Sequence, residues 1–436
     1  MRFLYRRLTL AALIGCAWSS AARAQAHAFT LDSVLSRITA KHPTIAASAY
    51  RVDAARGART TARAFGNPML SWQEENGPFP GRAPSSGMSR EISTFVTVPL
   101  ASVYQQRPRA RQADQLVNAA GADLRVTSQR VAFDAARSFY RLALAQRALA
   151  ASSDVQLWLD SLVRYTEVRV QEGAAAEVDL LRVQLERDAA ATEVALGRIE
   201  VARADALLAA FVDIDSITTV FADSTDIPPV FPALDHVVEI ARLLRSDLAA
   251  ARSRVAAAQA SRAFEQSAVF REVNGMLGEK STAGVRSFMA GIMIPLPLFD
   301  QNRGEINRAS SELRAQQQET VWMERQIVAD VAGALEAART LSQQMRALQA
   351  GYLRRAEDAR AITLSAYREG AVPLMQVLDA SRALANARQL FYRTLIAQRL
   401  SVLELHAAIG AENIAYMPTM SDALTRAAQS PRKDRP

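Results

Sequence analysis

Tyr367-Arg368-Glu369-Gly370-Ala371-Val372-Pro373-Leu374-Met375-Gln376-Val377-Leu378-Asp379-Ala380 lies between two very long helical patterns, and it has an echo about 197 residues upstream in Val168-Arg169-Val170-Gln171-Glu172-Gly173-Ala174-Ala175-Ala176-Glu177-Val178-Asp179-Leu180-Leu181. Each stretch runs Glu-Gly, then small or apolar residues, then renewed apolar periodicity. That order is a helix stop, a tight turn and a helix start: glycine serves the left-handed position after the stop, and proline is tolerated at the restart. Both stretches are therefore expected at the tips of antiparallel helical hairpins, and a hairpin built twice points to mechanical rather than catalytic work.

Further anchors repeat in the same order. Leu31-Asp32-Ser33-Val34 matches Leu234-Asp235-His236-Val237, and Val98-Pro99-Leu100 matches Ile294-Pro295-Leu296. Anchors at nearly constant spacing indicate internal duplication. In the first copy a helix is expected from Leu31 through Ile45, Val52 and Ala62 to Gly66-Asn67-Pro68. Met69–Glu75 and Glu91–Pro99 follow as strands around a Gly/Pro/Ser-rich loop, with Ile92, Thr94, Val96 and Val98 alternating against Ser93, Phe95 and Thr97. From about Tyr104 to Gln171 no strong breaker follows Pro108, and Gly121 is the weak point of a helix on the order of 100 Å long. The return helix, about Glu177 to Phe211, carries Val178, Leu185 and Ile199 at sevenfold spacing, which predicts a coiled-coil seam. The second copy is expected to hold a helix to about Ser267 and strands near 269–277 and 285–294. A helix from Gly304 to Arg368 and a return helix from Leu374 to Ile409 should follow, the last with its seam at Val377, Leu384 and Phe391.

Composition narrows the class. The 436 residues are 50% hydrophobic with one cysteine, Cys16, so a disulfide framework is excluded. The formal charge of +8 falls to +4 once the four arginines of residues 1–24 are set aside. No basic patch interleaved with aromatics appears, so nucleic acid is not an expected partner. Arg2, Arg6 and Arg7, the apolar Leu8–Trp18 and Ala22-Arg23-Ala24 form the three regions of a secretory leader. An alternative makes Leu13-Ile14-Gly15-Cys16 a lipidation box with Cys16 acylated. The domain plan is a signal peptide over 1–24, a first repeat over 25–233, a second over 234–410 and a polar tail over 411–436.

Strands of about ten residues suit a transmembrane barrel, yet four strands close none, the smallest needing about eight. Open edges are not tolerated in lipid, so membrane strands here require oligomerisation, and three copies would give twelve strands and twelve tunnel helices. The order of elements, Asn67-Pro68 before the first strand, the run Ile294-Pro295-Leu296-Pro297-Leu298-Phe299-Asp300-Gln301-Asn302-Arg303-Gly304-Glu305-Ile306 and the tip at 367–380 together resemble the TolC family of outer-membrane factors. Asn67-Pro68-Met69-Leu70, Glu74-Glu75-Asn76-Gly77 and the Pro-Leu-Pro-Leu-Phe-Asp run resemble its heavy-metal efflux branch.

The resemblance implies a mainly α protein with a small β part: duplicated coiled-coil hairpins and four membrane strands per chain, with a homotrimer forming a 12-stranded β-barrel on an α-helical periplasmic tunnel. It implies a passive exit channel in the outer membrane with a periplasmic extension. Its expected partners are a periplasmic adaptor, an inner-membrane pump of the resistance-nodulation-division type and outer-membrane lipid. The rival class is a soluble periplasmic coiled-coil adaptor.

Carried over by position, Asp179, Arg182, Gln376, Asp379 and Tyr367 fall at the periplasmic aperture, with Gln376 departing from the family's acid. Gly173, Ala174, Gly370, Ala371 and Val372 form the docking tips. Trp72, Phe79, Phe95 and Tyr104 are candidates for a membrane aromatic belt. The plain alternatives are solvated helix charges, turn glycines and hairpin packing.

No catalytic motif is present: Gly275-Met276-Leu277-Gly278-Glu279-Lys280-Ser281 has the wrong glycine spacing for a phosphate loop. No cofactor is expected. His27, His42, His236 and His406 lack ligand spacing, and the methionines show no cluster along the chain.

Overall fold

A computed structural model describes residues 28–77, 89–215, 217, 219–221, 231–270 and 272–411. The expected leader with Cys16, the loop residue Phe79 and all but the first residue of the expected tail lie outside them. Contacts divide the chain into two compact units. One holds Met1–His42, Gln129–Ile240 and Asp330–Pro436; the other holds Pro43–Ser128 and Ala241–Ala329.

The helices are α1 (Leu31–Lys41), α2 (Pro43–Arg63), α3 (Ala101–Gln171), α4 (Glu177–Val212), α5 (Leu234–Leu244), α6 (Ser246–Ser267), α7 (Arg303–Gln349), α8 (Tyr352–Arg368) and α9 (Leu374–Ile409). The strands are β1 (Ala28–Thr30), β2 (Met69–Glu75), β3 (Glu91–Pro99), β4 (Thr219–Phe221), β5 (Asn274–Thr282) and β6 (Val285–Met293).

The duplication is visible in lengths as well as order. α1 and α5 are both 11 residues long, and α4 and α9 are both 36. Three helices expected to be continuous are broken. The first stops at His42, where extended backbone (ψ 126°) precedes Pro43, because a residue before proline is pushed out of the helical region. Its counterpart breaks at Arg245, also extended at ψ 115°. The long second-copy helix divides at Gly351, whose φ of 118° no helix accommodates. α1 begins on a reciprocal capping box between Thr30 and Ser33.

In the second unit β2, β3, β5 and β6 form one antiparallel sheet in that order, so β2 and β6 are edges. β5 spans 274–282 rather than 269–277, because Ala268–Phe270 continues α6 as a turn of tighter helix. Residues 275–281, whose glycines loosely suggest a phosphate loop, are thus the interior of a strand. The register sorts the side chains onto two faces. Leu70, Val96, Leu277 and Ala290 share one row, with Val98, Gly275 and Ile292 beside it and Trp72, Thr94, Glu279 and Phe288 on its other side. The opposite face carries Ser71, Gln73, Ser93, Lys280 and Ser287. One face is mainly apolar and the other mixed, with Phe95, Met276 and Met289 among its polar residues, as suits a strand with one side to lipid. All four strand ends that lead to helices (Met69, Pro99, Asn274, Met293) lie at the same end of the sheet.

In the first unit a short parallel pair, β1 with β4, joins the start of the first repeat to a segment near its end. The core is made of Phe139, Leu142, Val183, Leu208, Leu335, Val377, Leu384, Leu403 and Leu405, all buried. Each such side chain contributes about 1.5–3 kcal/mol. Val377 and Leu384 of the expected α9 seam are buried and Phe391 is half-buried, whereas Val178, Leu185 and Ile199 of the expected α4 seam are 55%, 70% and 50% exposed within one chain. α4 packs instead through Val183, Val194, Ala204 and Leu208. At roughly 100° per residue those positions lie on the opposite side of the helix from the sevenfold row. α4 therefore has two apolar faces, and sevenfold spacing alone could not say which one turns inward.

Candidate aperture and docking tips

The two tips are built by the same hydrogen bonds. At the end of α3, Gly173 N–H donates to Val170 O at 3.0 Å and Ala174 N–H donates to Arg169 O at 2.7 Å. At the end of α8, Gly370 N–H donates to Tyr367 O at 3.0 Å and Ala371 N–H donates to Ala366 O at 2.8 Å. The long 6→1 closure is the Schellman arrangement, and it needs a left-handed residue. Gly173 supplies φ 72° and Gly370 φ 76°. Each return helix then opens on extended backbone at Ala176 or Pro373, and Asp179 N–H and Gln376 N–H donate back to those carbonyls at 3.0 and 3.1 Å.

A Cβ on either glycine would meet nothing within 4 Å. Gly173, Ala174, Gly370 and Ala371 are exposed, whereas Val372 is half-buried and packs inward. The tips are small, open knobs.

Below them Leu159, Leu162, Val163, Val183, Tyr367, Leu374, Val377 and Leu378 form one cluster drawn from both hairpins. Tyr367 is buried in it and meets Tyr165 edge to face at 6.2 Å. The Arg169 guanidinium lies 5.4 Å from the Tyr367 ring and 5.9 Å from that of Tyr165, and donates to Ala174 O at 3.0 Å. One arginine thus ties the first tip to an aromatic pair shared by both hairpins. Tyr165 and Arg169 were not singled out in the sequence, where they read as ordinary helix residues.

Of the expected aperture residues, Asp179 and Arg182 pair with each other at 3.6 Å along α4. Asp379 is exposed and meets Arg382 at 3.4 Å. Arg382 also bonds Glu186 on α4, and that carboxylate, through its hydrogen bond, holds the guanidinium pKa above its usual value. Gln376 is exposed. The second cross-hairpin link is Arg388, which reaches Glu357 at 3.3 Å and Asp154 at 3.7 Å. Arg382 and Arg388 escaped sequence reading because Glu186, Glu357 and Asp154 reach them from other helices.

The aromatic candidates do not share one face. Trp72 is 64% exposed on the apolar face of the sheet, Phe95 lies on the opposite face, and the Tyr104 hydroxyl on α3 donates to Phe270 O. Among the described residues no group of three or more His, Cys, Asp or Glu could hold a metal ion, and no helix is long and apolar enough to cross a membrane.

Residues 237–411 match a family described as outer membrane efflux protein. The cobalt-zinc-cadmium resistance protein CzcC of Cupriavidus metallidurans is 23% identical over 372 residues, which cover 84% of this chain and 86% of that protein. The solved channel protein CusC superposes with a TM-score of 0.72 over 87% of this chain and 92% of its own, at 19% identity. The CmeC outer membrane channel of Campylobacter jejuni gives 0.73 over 93% and 90%, at 14% identity.

Proposed function

We propose, for a chain whose residues 237–411 match the outer membrane efflux protein family, an exit channel that works as a trimer and is shut at the tip end of its hairpins. The chain is a channel component rather than an enzyme, and an outer-membrane protein rather than a soluble adaptor.

The trimer rests on the sheet. Four strands with an apolar face leave β2 and β6 unpaired, and lipid does not accept unpaired backbone. Pairing β6 of one copy with β2 of the next repeats until the ring closes, and three copies give twelve strands. The doubled tip supports an adaptor: two open knobs of Gly and Ala per chain let another helical hairpin approach closely, as small residues do. An inner-membrane pump of the resistance-nodulation-division type would supply the energy. Cargo is read as metal ions from the relative described as a cobalt-zinc-cadmium resistance protein.

At the aperture, Tyr367 with Arg169 and Arg382 with Glu186 hold the two hairpins of one chain together. Asp179, Arg182, Gln376 and Asp379 line the first turns beyond the tips. In threefold arrangement the Asp379 carboxylates would attract cations. Docking at the tips would part the hairpins and open the end.

The domain plan of leader, two repeats and tail belongs to the same reading, and the equal lengths of α4 and α9 support its repeats. Membrane fractionation tests the whole. The protein should extract from outer membrane as a detergent-resistant trimer, and recovery as a soluble monomer would refute the reading.

A further inference from the structure

The two repeats join sheet to helix unequally. β3 ends at Pro99 and α3 begins at Ala101, and Leu100 between them lies half-buried against β5, its Cδ1 3.3 Å from where a Cβ of Gly275 would stand. In the second repeat, residues 294–302 separate β6 from α7. They open on Ile294-Pro295-Leu296-Pro297-Leu298-Phe299, in which Ile294, Leu296, Leu298 and Phe299 are 54%, 74%, 72% and 100% exposed. This segment is held at both ends. Ile294 follows directly on β6, and beyond Phe299 the buried Asn302 donates its N–H to Asp300 Oδ1 and its Nδ2 to Glu265 O, each at 2.8 Å.

The apolar face of the sheet is too short without it. On β6 that face runs from Phe288 through Ala290 to Ile292, which at about 3.4 Å per residue is roughly 14 Å. The apolar band of a membrane barrel is about 25 Å tall. Growth toward the hairpin turn is closed by Arg286, which pairs with Glu279. In the other direction the alternation gives Ile294 and Leu296 to the same face, and a residue before proline is held extended. Phe288 to Leu296 then covers about 27 Å along the chain before tilt. The backbone suits the same surroundings. Lipid penalises unpaired N–H groups, Pro295 and Pro297 have none, and Leu298 N–H donates to Leu296 O at 2.8 Å. Phe299 ends the run as an aromatic at a headgroup boundary does, and the exposed Asp300, Gln301 and Arg303 follow it.

We propose that residues 294–299 are a membrane-contact strap, with Ile294, Leu296 and Leu298 among the acyl chains of the periplasmic leaflet and Phe299 at its headgroups. The strap completes on the helix side an apolar band that the strands leave short. This rests on the channel reading above, and the test separates the two.

The full-length chain in a Cys16→Ser background, so that each introduced cysteine stands alone, is reconstituted into phospholipid vesicles with the dye NBD at Phe299→Cys, at Phe288→Cys on the apolar face or at Ser93→Cys on the polar face. Dye at 299 and 288 should lose emission when the acyl chains are brominated and resist aqueous iodide, and dye at 93 should do the reverse. At 299 the loss should be larger with bromine near the headgroup than near the chain end. Loss at 288 but not at 299 would overturn the strap and leave the channel reading standing, and a bis-maleimide cross-link from position 299 to a second copy would then show that protein, not lipid, covers it. Loss at neither position would overturn both.

Discussion

Replacing both tip glycines separates two consequences that are usually confounded, strain in the turn and obstruction of a partner. At Gly370, φ is 76°, and at Gly173 it is 72°. A side chain there costs about 1–2 kcal/mol when the residue is alanine and less when it is asparagine, which visits the left-handed region routinely. The chain itself shows this tolerance, with Asn76 at φ 57° and Asn302 at 56°. No clash adds to the strain, since nothing lies within 4 Å of either Cβ position. Strain alone therefore ranks Gly→Ala as worse than Gly→Asn. Docking of another hairpin against the tips ranks them the other way, because asparagine is larger. The paired variants G173A/G370A and G173N/G370N should both assemble, with melting temperatures lowered by only a few degrees. Cells carrying the adaptor and pump should lose more cargo tolerance with asparagine than with alanine, and site-directed cross-linking to the adaptor should fall in the same order. Export that follows the strain order would refute tip docking.

Tyr367→Ala should destabilise by about 3–5 kcal/mol in chemical denaturation, because it empties a buried site beneath the tip, whereas Tyr367→Phe keeps the ring contacts and should cost far less. Arg382→Met removes the contacts with Glu186 and Asp379; on a half-exposed pair this costs no more than about 1 kcal/mol, so stability should hold while single-channel conductance rises if the link helps shut the aperture. His406 is partly buried and its Nδ1 has no partner among the described residues, and burial holds its pKa below the usual histidine value. The unfolded chain then binds the proton more readily, so this group's contribution is complete above about pH 6.5 and is lost as pH falls below it; His406→Gln should flatten that part of the stability profile. Leu185→Glu on the exposed row of α4 should leave helix content unchanged and reduce the trimer fraction on sizing columns.

What the sequence disclosed, it disclosed through local rules. Glu-Gly before renewed periodicity located both tips, because a left-handed glycine is a property of a few consecutive residues. The strand over Glu91–Pro99 followed from alternation alone. Pro43 and Gly351 carried visible break signals that the long apolar periodicity masked, and Arg245 carried none. The site was less legible. Positions such as Tyr367 and Asp379 came from resemblance, while Arg169, Arg382 and Arg388 act on side chains from other helices, and no local rule reports that. The sheet is the clearest case: Met276 and Gly291 are unremarkable in sequence, and only strand register makes them neighbours.

The second apolar face of α4 has a consequence for the life of the newly made chain. A helix with Leu185 and Ile199 turned to water is a liability until another surface covers them. On the proposed trimeric reading, each subunit before assembly would be a natural client for holdase chaperones, and slow encounter with its siblings would favour proteolysis. Abundance in the cell should then depend on synthesis rate more steeply than linearly, since the surviving species is the one that finds company in time.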